Sequence, residues 1–392
     1  DTTAPSIGSL SITTPTNDTT PDLTFTAESS GSVVVTSDGT SGNVGTATGT
    51  GSSQTITLST LDAGAQTLTV TVTDAAGNTA TDTIAVTVDT TAPSIGSLSI
   101  TTPTNDTTPD LTFTAESSGS VVVTSDGTSG NVGTATGTGS SQTITLSTLD
   151  AGAQTLTVTV TDAAGNTATD TIAVTVDTTA PSIGSLSITT PTNDTTPDLT
   201  FTAESSGSVV VTSDGTSGNV GTATGTGSSQ TITLSTLDAG AQTLTVTVTD
   251  AAGNTATDTI AVTVNTTAPS IGSLSITTPT NDTTPDLTFT AESSGSVVVT
   301  SDGTSGNVGT ATGTGSSQTI TLSTLDAGAQ TLTVTVTDAA GNTATDTIAV
   351  TVDTTAPSIG SLSITTPTND TTPDLTFTAE SSGSVVVTSD GT

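Results

Sequence analysis

Apolar residues alternate with threonine or serine along most of the chain. This period of two is clear around Leu23 and Phe25, and again from Leu68 to Val72. Side chains alternate between the two faces of a β-strand, so each such segment predicts a strand with one buried face. Seven strands are predicted in the first 88 residues, marked by Ile7, Leu10 and Ile12; Leu23, Phe25 and Ala27; Val33 to Val35; Val44 to Thr48; Ile56 and Leu58; Leu68, Val70 and Val72; and Ile84, Val86 and Val88.

Short polar segments separate these predicted strands. Thr14 to Pro21, Ser37 to Thr40 and Asp74 to Asn78 are rich in the Pro, Asp, Asn and Gly residues that favour turns. No segment has the apolar spacing and caps of an amphipathic helix, so almost no helix is expected. The pattern predicts an all-β fold, an immunoglobulin-like β-sandwich of about seven strands. A β-helix is the alternative, disfavoured because the unit contains no shorter repeat.

The pattern recurs with a period of 88 residues. The segment that begins at Asp1 returns at Asp89, Asp177, Asn265 and Asp353. We therefore predict four Ig-like domains and a partial copy with the first three strands only, at residues 1–88, 89–176, 177–264, 265–352 and 353–392. Tandem sandwiches form an elongated rod. A strand of about 9 residues spans about 30 Å, so each repeat would add about 40 Å and the chain would reach about 180 Å.

Composition excludes most chemistry. The 392 residues include 36 Asp and Glu but no Lys, Arg, His, Cys, Met, Trp or Tyr, and the net charge is −36. Without cationic side chains the chain cannot neutralise phosphates, so nucleic acids are excluded as partners. Without imidazole or amine side chains it lacks a general base for work near neutral pH and a group that forms Schiff bases, and without thiols it lacks a cysteine nucleophile, so no enzyme is expected. No apolar run approaches the roughly 18 residues of a membrane span, and no signal peptide is recognised, as in an internal fragment.

The remaining ligands are oxygen atoms, which hard cations such as calcium prefer. In an Ig-like sandwich, the linker Asp89 would lie beside Glu116 and Asp162, two loop residues of the following repeat. Asp18 and Asp62 would lie near the same junction at the end of the preceding repeat. Like charges that cluster repel one another unless a cation lies between them. A calcium ion is therefore predicted at each junction between domains.

The 88-residue period extends this prediction along the chain. The candidate ligands are Asp18, Asp62, Asp89, Glu116, Asp162 and Asn166; Asp106, Asp150, Asp177, Glu204, Asp250 and Asn254; Asp194, Asp238, Asn265, Glu292, Asp338 and Asn342; and Asp282, Asp326 and Asp353. Asn265 keeps an oxygen ligand but not the charge, so the third junction should bind calcium more weakly.

An alternative interpretation makes the same acids turn formers, because Asp and Asn side chains cap their own turns. For Asp38, which precedes Gly39, this interpretation is favoured. Asp82 is the one acid predicted inside a strand, on the polar face opposite that of Ile84 and Val86.

Three motifs recur in every full repeat, in the same order, except that Asn265 replaces the first Asp of the fourth repeat. They are DTTAP from Asp89, TNDTTP from Thr16 and TDAAGN from Thr73. Together they resemble the bacterial Ig-like repeats of giant surface adhesins, which include biofilm-associated, type I-secreted proteins. The resemblance implies a non-enzymatic extender, or stalk, outside the cell, whose junctions are stiffened by calcium.

Two functions of other classes are alternatives to the extender. The chain could be a subunit of a self-assembling extracellular filament or surface layer, with copies of itself as partners and the partial repeat as a donor segment. A glycan-binding module is disfavoured, because the only aromatic residues are five Phe. Calcium and neighbouring repeats of the same chain are the main partners expected, without membrane insertion.

Overall fold

The computed structural model describes residues 1–391, and its strands follow the repeat. Each full repeat contains seven strands, and no helix occurs in the described part of the chain, hence none that could cross a membrane. The strands of the first repeat are β1 (Ile7–Ser11), β2 (Asp22–Ala27), β3 (Ser32–Ser37), β4 (Asn43–Thr48), β5 (Ser53–Thr57), β6 (Gly64–Thr73) and β7 (Thr79–Val88).

The later repeats keep this order. The second contains β8 (Ile95–Ile100), β9 (Asp110–Ala115), β10 (Ser120–Ser125), β11 (Asn131–Thr136), β12 (Ser141–Thr145), β13 (Gly152–Thr161) and β14 (Thr167–Val176). The third contains β15 (Ile183–Ile188), β16 (Asp198–Ala203), β17 (Ser208–Ser213), β18 (Asn219–Thr224), β19 (Ser229–Thr233), β20 (Gly240–Thr249) and β21 (Thr255–Val264). The fourth contains β22 (Ile271–Ile276), β23 (Asp286–Ala291), β24 (Ser296–Ser301), β25 (Asn307–Thr312), β26 (Ser317–Thr321), β27 (Gly328–Thr337) and β28 (Thr343–Val352), and the partial copy contains β29 (Ile359–Ile364) and β30 (Leu375–Ala379).

Each full repeat is a sandwich of two antiparallel sheets. In the first repeat one sheet has the order β1-β2-β5 and the other the order β4-β3-β6-β7. The longest pairing joins β6 and β7, from Gly64 opposite Val88 to Thr73 opposite Thr79. The prediction of an all-β, immunoglobulin-like sandwich is confirmed.

The core lies between the two sheets and follows the period of two. Phe25 and Val70 are fully buried, whereas the intervening threonines of β6 are exposed or half-buried. Gln66 is a buried polar residue on the core face of β6. Its carboxamide accepts hydrogen bonds from the hydroxyls of Ser37 and Thr40 and donates one to the carbonyl of Asp62. Within residues 1–391 every buried side-chain N or O atom has a hydrogen-bond partner.

The loop between β1 and β2 closes onto the end of β7. The N–H of Thr16 donates to the carbonyl of Thr87 at 3.0 Å, and the N–H of Asp89 donates to the carbonyl of Thr16 at 2.9 Å. Thr16 thus forms a parallel bridge with Val88. This bridge fixes the start of the linker and places the next loop residue, Asn17, at the junction.

Asp82 lies on the opposite face of β7 from the one predicted. It is paired directly with Val70, whose side chain is fully buried, and cross-strand partners point to the same face of a sheet. The predicted face was wrong because Asp82 and Ile84 are two residues apart, and side chains two residues apart point to the same face of a strand. Asp82 is nevertheless exposed, since β7 is an edge strand. Asp22 is a second acid inside a strand, at the start of β2.

The partial copy contains two of its three predicted strands. Val385 to Val387, the counterpart of β3, lie outside any strand. The physical reason is that β3 pairs with β4 and β6, and neither has a counterpart in residues 353–391. Apolar side chains are therefore uncovered there: Phe377 is 37% exposed, whereas its counterpart Phe25 is 0% exposed.

Candidate functional site at the interdomain junctions

The turn between β13 and β14 is built around the carboxylate of Asp162. Its Oδ1 accepts the N–H groups of Ala164 and Asn166 at 2.9 and 2.8 Å, and its Oδ2 accepts Nδ2 of Asn166 at 2.8 Å. The Asn166 side chain is the main reason that the pKa of Asp162 lies below its ordinary value; backbone N–H groups add to the effect and desolvation opposes it. Equivalent hydrogen bonds lower the pKa values of Asp74, Asp250 and Asp338.

Two further predicted ligands gather around the linker. Nδ2 of Asn166 donates to the carbonyl oxygen of Asp89 at 2.8 Å, and Oδ1 of Asp89 accepts the N–H of Thr91 at 3.0 Å. Oε2 of Glu116 accepts the N–H of Ser94 at 3.2 Å. The linker is therefore held by the turn and by the loop of its own repeat, and each carboxylate is bonded to a backbone N–H.

A direct hydrogen bond also joins consecutive full repeats, and we call it the junction contact. The N–H of Asn17, in the β1–β2 loop, donates to the carbonyl of Ala164, in the β13–β14 turn of the next repeat, at 3.0 Å. A Cβ added to Gly165 would meet the Asn17 side chain at 3.5 Å, so the loop and the turn are in van der Waals proximity. The contact recurs, again at 3.0 Å, between Asn105 and Ala252 and between Asn193 and Ala340.

An open cleft lies at the third junction, with a volume of about 460 Å³. The fourth repeat lines it with the linker residue, the loop glutamate and the turn aspartate, which are Asn265, Glu292 and Asp338. The corresponding residues of the first repeat line another cleft and are Asp1, Glu28 and Asp74. At the third junction and at the start of the first repeat, the structure thus brings together the three kinds of residue that the sequence placed on the following side of a junction.

The acids predicted from the preceding repeat do not line the cleft at the third junction. Oδ1 of Asp18 accepts both the N–H and the hydroxyl of Thr20, at 2.8 and 3.0 Å, and Asp18 lines a separate cleft with Asp22. The N–H of Asp62 donates to Oγ1 of Thr40 at 2.8 Å. The same bonds recur at the counterparts Asp106, Asp194 and Asp282, and Asp150, Asp238 and Asp326. The third repeat lines its junction cleft with Pro191, Ala239 and Gly240 instead.

The remaining candidates repeat the pattern of the second repeat. Asp177 and Asp353 each accept the N–H two residues further on, at 2.9 and 3.0 Å. Glu204 accepts the N–H of Ser182 at 3.2 Å. Asn254 and Asn342 donate to the carbonyls of their linker residues, both at 2.7 Å.

The donors at the junctions are of the type that calcium prefers, but they do not form a complete metal site. Among residues 1–391 no group of three or more acidic side chains is spaced to hold a metal ion. At the third junction Nδ2 of Asn265 donates to Oδ2 of Asp338 at 3.0 Å, so the linker side chain and the turn carboxylate are in contact. At the first junction the corresponding linker residue is Asp89, whose side chain has no amide N–H to donate to Asp162. Calcium takes six to eight oxygens, more than two carboxylates supply.

The sequence pattern did not indicate the junction contact. Asn17 and Ala164 meet through backbone groups, which every non-proline residue carries, so residue type alone does not reveal the bond. The signal that could have found it is the position of Asn17, in the loop predicted at the same end of the sandwich as the linker.

Several solved structures are similar to the chain. One is a Ca2+-stabilized adhesin that helps an Antarctic bacterium reach out and bind ice, with 23% identity, coverage of 90% of this chain and 100% of that chain, and a TM-score of 0.33. Another belongs to a 1.5-MDa bacterial ice-binding adhesin, with 20% identity, coverage of 67% and 98%, and a TM-score of 0.30. The BSP domain of a biofilm associated protein has 14% identity, coverage of 91% and 97%, and a TM-score of 0.20.

Comparison with curated proteins finds no match. Comparison with family profiles finds four matches, which begin 88 residues apart and cover residues 8–90, 96–178, 184–266 and 272–354. The matching family is described as the bacterial Ig-like domain, and its copies account for most of the chain. The chain therefore belongs to the bacterial Ig-like domain family, of which it contains four copies in tandem.

Proposed function

We propose that the chain is an extender of a bacterial cell-surface adhesin, with the non-enzymatic role of holding another part of that protein away from the cell. The proposal is supported by the tandem Ig-like repeats and by a composition without Lys, His or Cys side chains for catalysis. Near-identical repeats suit a part whose task is length, because each copy lengthens the array without new chemistry.

The junction contact is the observation that carries this proposal. It recurs at all three junctions between full repeats, at 3.0 Å each time. On the preceding side, Thr16 fixes the start of the linker; on the following side, Asn166 holds the carbonyl of Asp89. The first linker residue, Asp89, is thus bonded to both repeats. A linker tied to both repeats restricts the motion of two neighbouring domains, whereas a free polar linker would not.

Small-angle X-ray scattering tests this role of the junction contact. Proline has no N–H, so replacing Asn17, Asn105 and Asn193 by proline removes the bond at each junction. The unchanged chain should have a maximum dimension of about 180 Å, as strand length predicts. The triple variant should show a smaller average dimension and a broader distribution, because its repeats bend at the linkers.

Asn281 provides the matched control. It occupies the same loop position in the fourth repeat, but within residues 1–391 its N–H makes no junction contact, since the partial copy has no counterpart of the β13–β14 turn. Asn281→Pro should therefore leave the scattering profile unchanged. Equal profiles for the triple variant and the control would contradict a stiff extender held by these bonds.

We further propose that calcium reinforces the junctions, bound through the linker, loop and turn carboxylates. Support comes from the cleft that gathers these positions and from the 3.0 Å contact between Asn265 and Asp338. Because no triplet of acids is spaced for a metal as the side chains now lie, Asp89 and Glu116 would have to exchange backbone hydrogen bonds for the ion.

Asn265→Asp tests the calcium proposal, since it gives the third junction the acid of the first two. In a chelator the variant should melt below the unchanged chain, because a hydrogen bond to Asp338 becomes a repulsive pair. With calcium added, its melting temperature should rise more than that of the unchanged chain. Asn307→Asp, at an exposed position in the same repeat, adds the same charge away from the junction. If both variants respond equally to calcium in calorimetry, the proposed site is wrong.

A further inference from the structure

The strand edges of a repeat differ in how well they are protected. An unpaired edge is a template for another strand unless it is short, irregular, charged or covered. β1 has a register irregularity between Gly8 and Ser11, and β4 faces another between Val35 and Thr36. β5 is only five residues long. Three of the four edges therefore carry a recognised protection.

The fourth edge, β7, is neither short nor irregular. It is ten residues long and pairs with β6 without any irregularity. The β1–β2 loop covers its end, where Thr16 bridges Val88, and β1 also contacts β7. Along the rest of β7 no other strand of the described chain is paired, and Thr79, Thr81 and Thr83 are exposed.

Asp82 lies in the middle of this open edge and points toward the core side. It is paired with buried Val70, and among residues 1–391 the only hydrogen bond to its carboxylate comes from the N–H of the adjacent Thr83, at 2.8 Å. A strand added to β7 would continue the sheet and place its own core-side residues next to Asp82. If that strand were β7 of a second copy, paired antiparallel about this point, two Asp82 carboxylates would face each other, which destabilises the pairing.

We propose that the open edge of β7 is a self-pairing surface whose partner is a second copy of this chain, and that Asp82 keeps it unpaired. Its counterparts in the other full repeats are Asp170, Asp258 and Asp346, all exposed. Near-identical edges recur every 88 residues, so one paired edge raises the effective concentration of the next. Each repeat therefore needs its own inward-facing charge to prevent lateral association of whole chains.

Replacement of the four aspartates by threonine in the full chain tests this proposal. Threonine favours β-strands and is the residue type next to Asp82 on both sides. The replacement removes one hydrogen bond, that from the N–H of Thr83 to the Asp82 carboxylate, so the fold should persist. In sedimentation velocity the unchanged chain should be a monomer. The fourfold variant should reach about twice the monomer mass or more, in a concentration-dependent way. Circular dichroism confirms that each variant is folded.

A second variant separates position from net charge. It combines the four replacements with Thr→Asp at the exposed loop positions Thr60, Thr148, Thr236 and Thr324, which restores the net charge of −36. Association of both variants supports the proposal. The proposal is overturned if the unchanged chain already associates, if the fourfold variant stays monomeric, or if the charge-restored variant is monomeric.

A third variant moves the charge along the same face of β7. Adding Ala80→Asp and its equivalents to the fourfold variant should return it to a monomer, since Ala80 shares the core-side face with Asp82. Continued association would count against the proposal.

Discussion

At the scale of single residues, most of this chain's acids are satisfied by nearby backbone N–H groups. Asp18, Asp89 and Asp162 each accept an N–H from the residue two positions further on, at 2.8, 3.0 and 2.9 Å. This is the pattern by which aspartate stabilises turns. The turn-former interpretation of these acids therefore describes the structure in hand, and it explains how carboxylates are held in a chain without Lys or Arg.

The turn aspartates predict a pH dependence of stability. The pKa of Asp162 is lowered in the fold, chiefly by Asn166, so the unfolded chain takes up this proton first as the pH falls. The stabilisation is thus present at neutral pH and is lost below about pH 4, as the pH passes down through the folded pKa. Replacing Asn78, Asn166, Asn254 and Asn342 by alanine should lower the melting temperature at pH 7. The difference in melting temperature between this variant and the unchanged chain should become smaller in acid.

Thermal melts from neutral pH into acid measure that difference. The matched control replaces Asn43, Asn131, Asn219 and Asn307 by alanine, since these residues are exposed at the starts of β4, β11, β18 and β25. Their effect should not vary with pH. If the difference in melting temperature between the turn variant and the unchanged chain stays the same in acid, the asparagines do not act through the aspartate carboxylates.

At the scale of elements, the loops of a sandwich are as closely packed as its sheets. The chain between β11 and β12 crosses the loop between β9 and β10 so tightly that a Cβ at Gly137 would lie 1.9 Å from the carbonyl oxygen of Glu116. The N–H of Gly137 also donates to the carbonyl of Gly119 at 2.8 Å. This crossing holds Glu116 where it can reach the linker.

Alanine at this crossing should therefore destabilise every repeat. Gly→Ala at positions 49, 137, 225 and 313 forces backbone apart, and overpacking of this kind costs about 1–3 kcal/mol per site. Urea unfolding measures the loss. Gly→Ala at positions 8, 96, 184 and 272 is the control, because a Cβ at Gly96 meets only Oγ1 of Thr114 at an ordinary 3.7 Å. Similar midpoints for the two sets would contradict the close approach.

At the scale of the whole molecule, 36 acids act on one another without any Lys, Arg or His. The turns satisfy individual carboxylates through hydrogen bonds, but they do not cancel the charge. Self-repulsion of a large net charge destabilises a compact state, and at about 0.1 M salt it is screened beyond about 10 Å. Part of the stability of this protein should therefore depend on ionic strength.

Added salt should raise the melting temperature. From about 0.01 to about 0.5 M NaCl, screening of repulsion is expected to stabilise all four full repeats together. CaCl2 at the same ionic strength separates screening from binding, since only bound calcium adds a further increase. A melting temperature that falls or stays level as NaCl is added would show that repulsion is not a significant term.

The sequence by itself determined the fold class, the repeat and the core of this protein. The alternation of apolar and polar residues around Leu68, Val70 and Val72 is a local property that specifies one buried face. The 88-residue period is visible in the sequence alone. The same local pattern predicted three strands in the partial copy, but tertiary pairing decided that Val385 to Val387 form none, because a strand needs neighbours that residues 353–391 do not contain.

Only the tertiary structure decided how the acids are used. Residue type placed Asp89, Glu116 and Asp162 near one junction, and the structure gathers those positions around the linker while it holds Asp18 in its own turn. The junction contact came only from the structure, because backbone groups leave no trace in residue type. The role of Asp82 likewise depends on cross-strand register and on β7 being an edge, which are set by the pairing of distant segments rather than by local sequence.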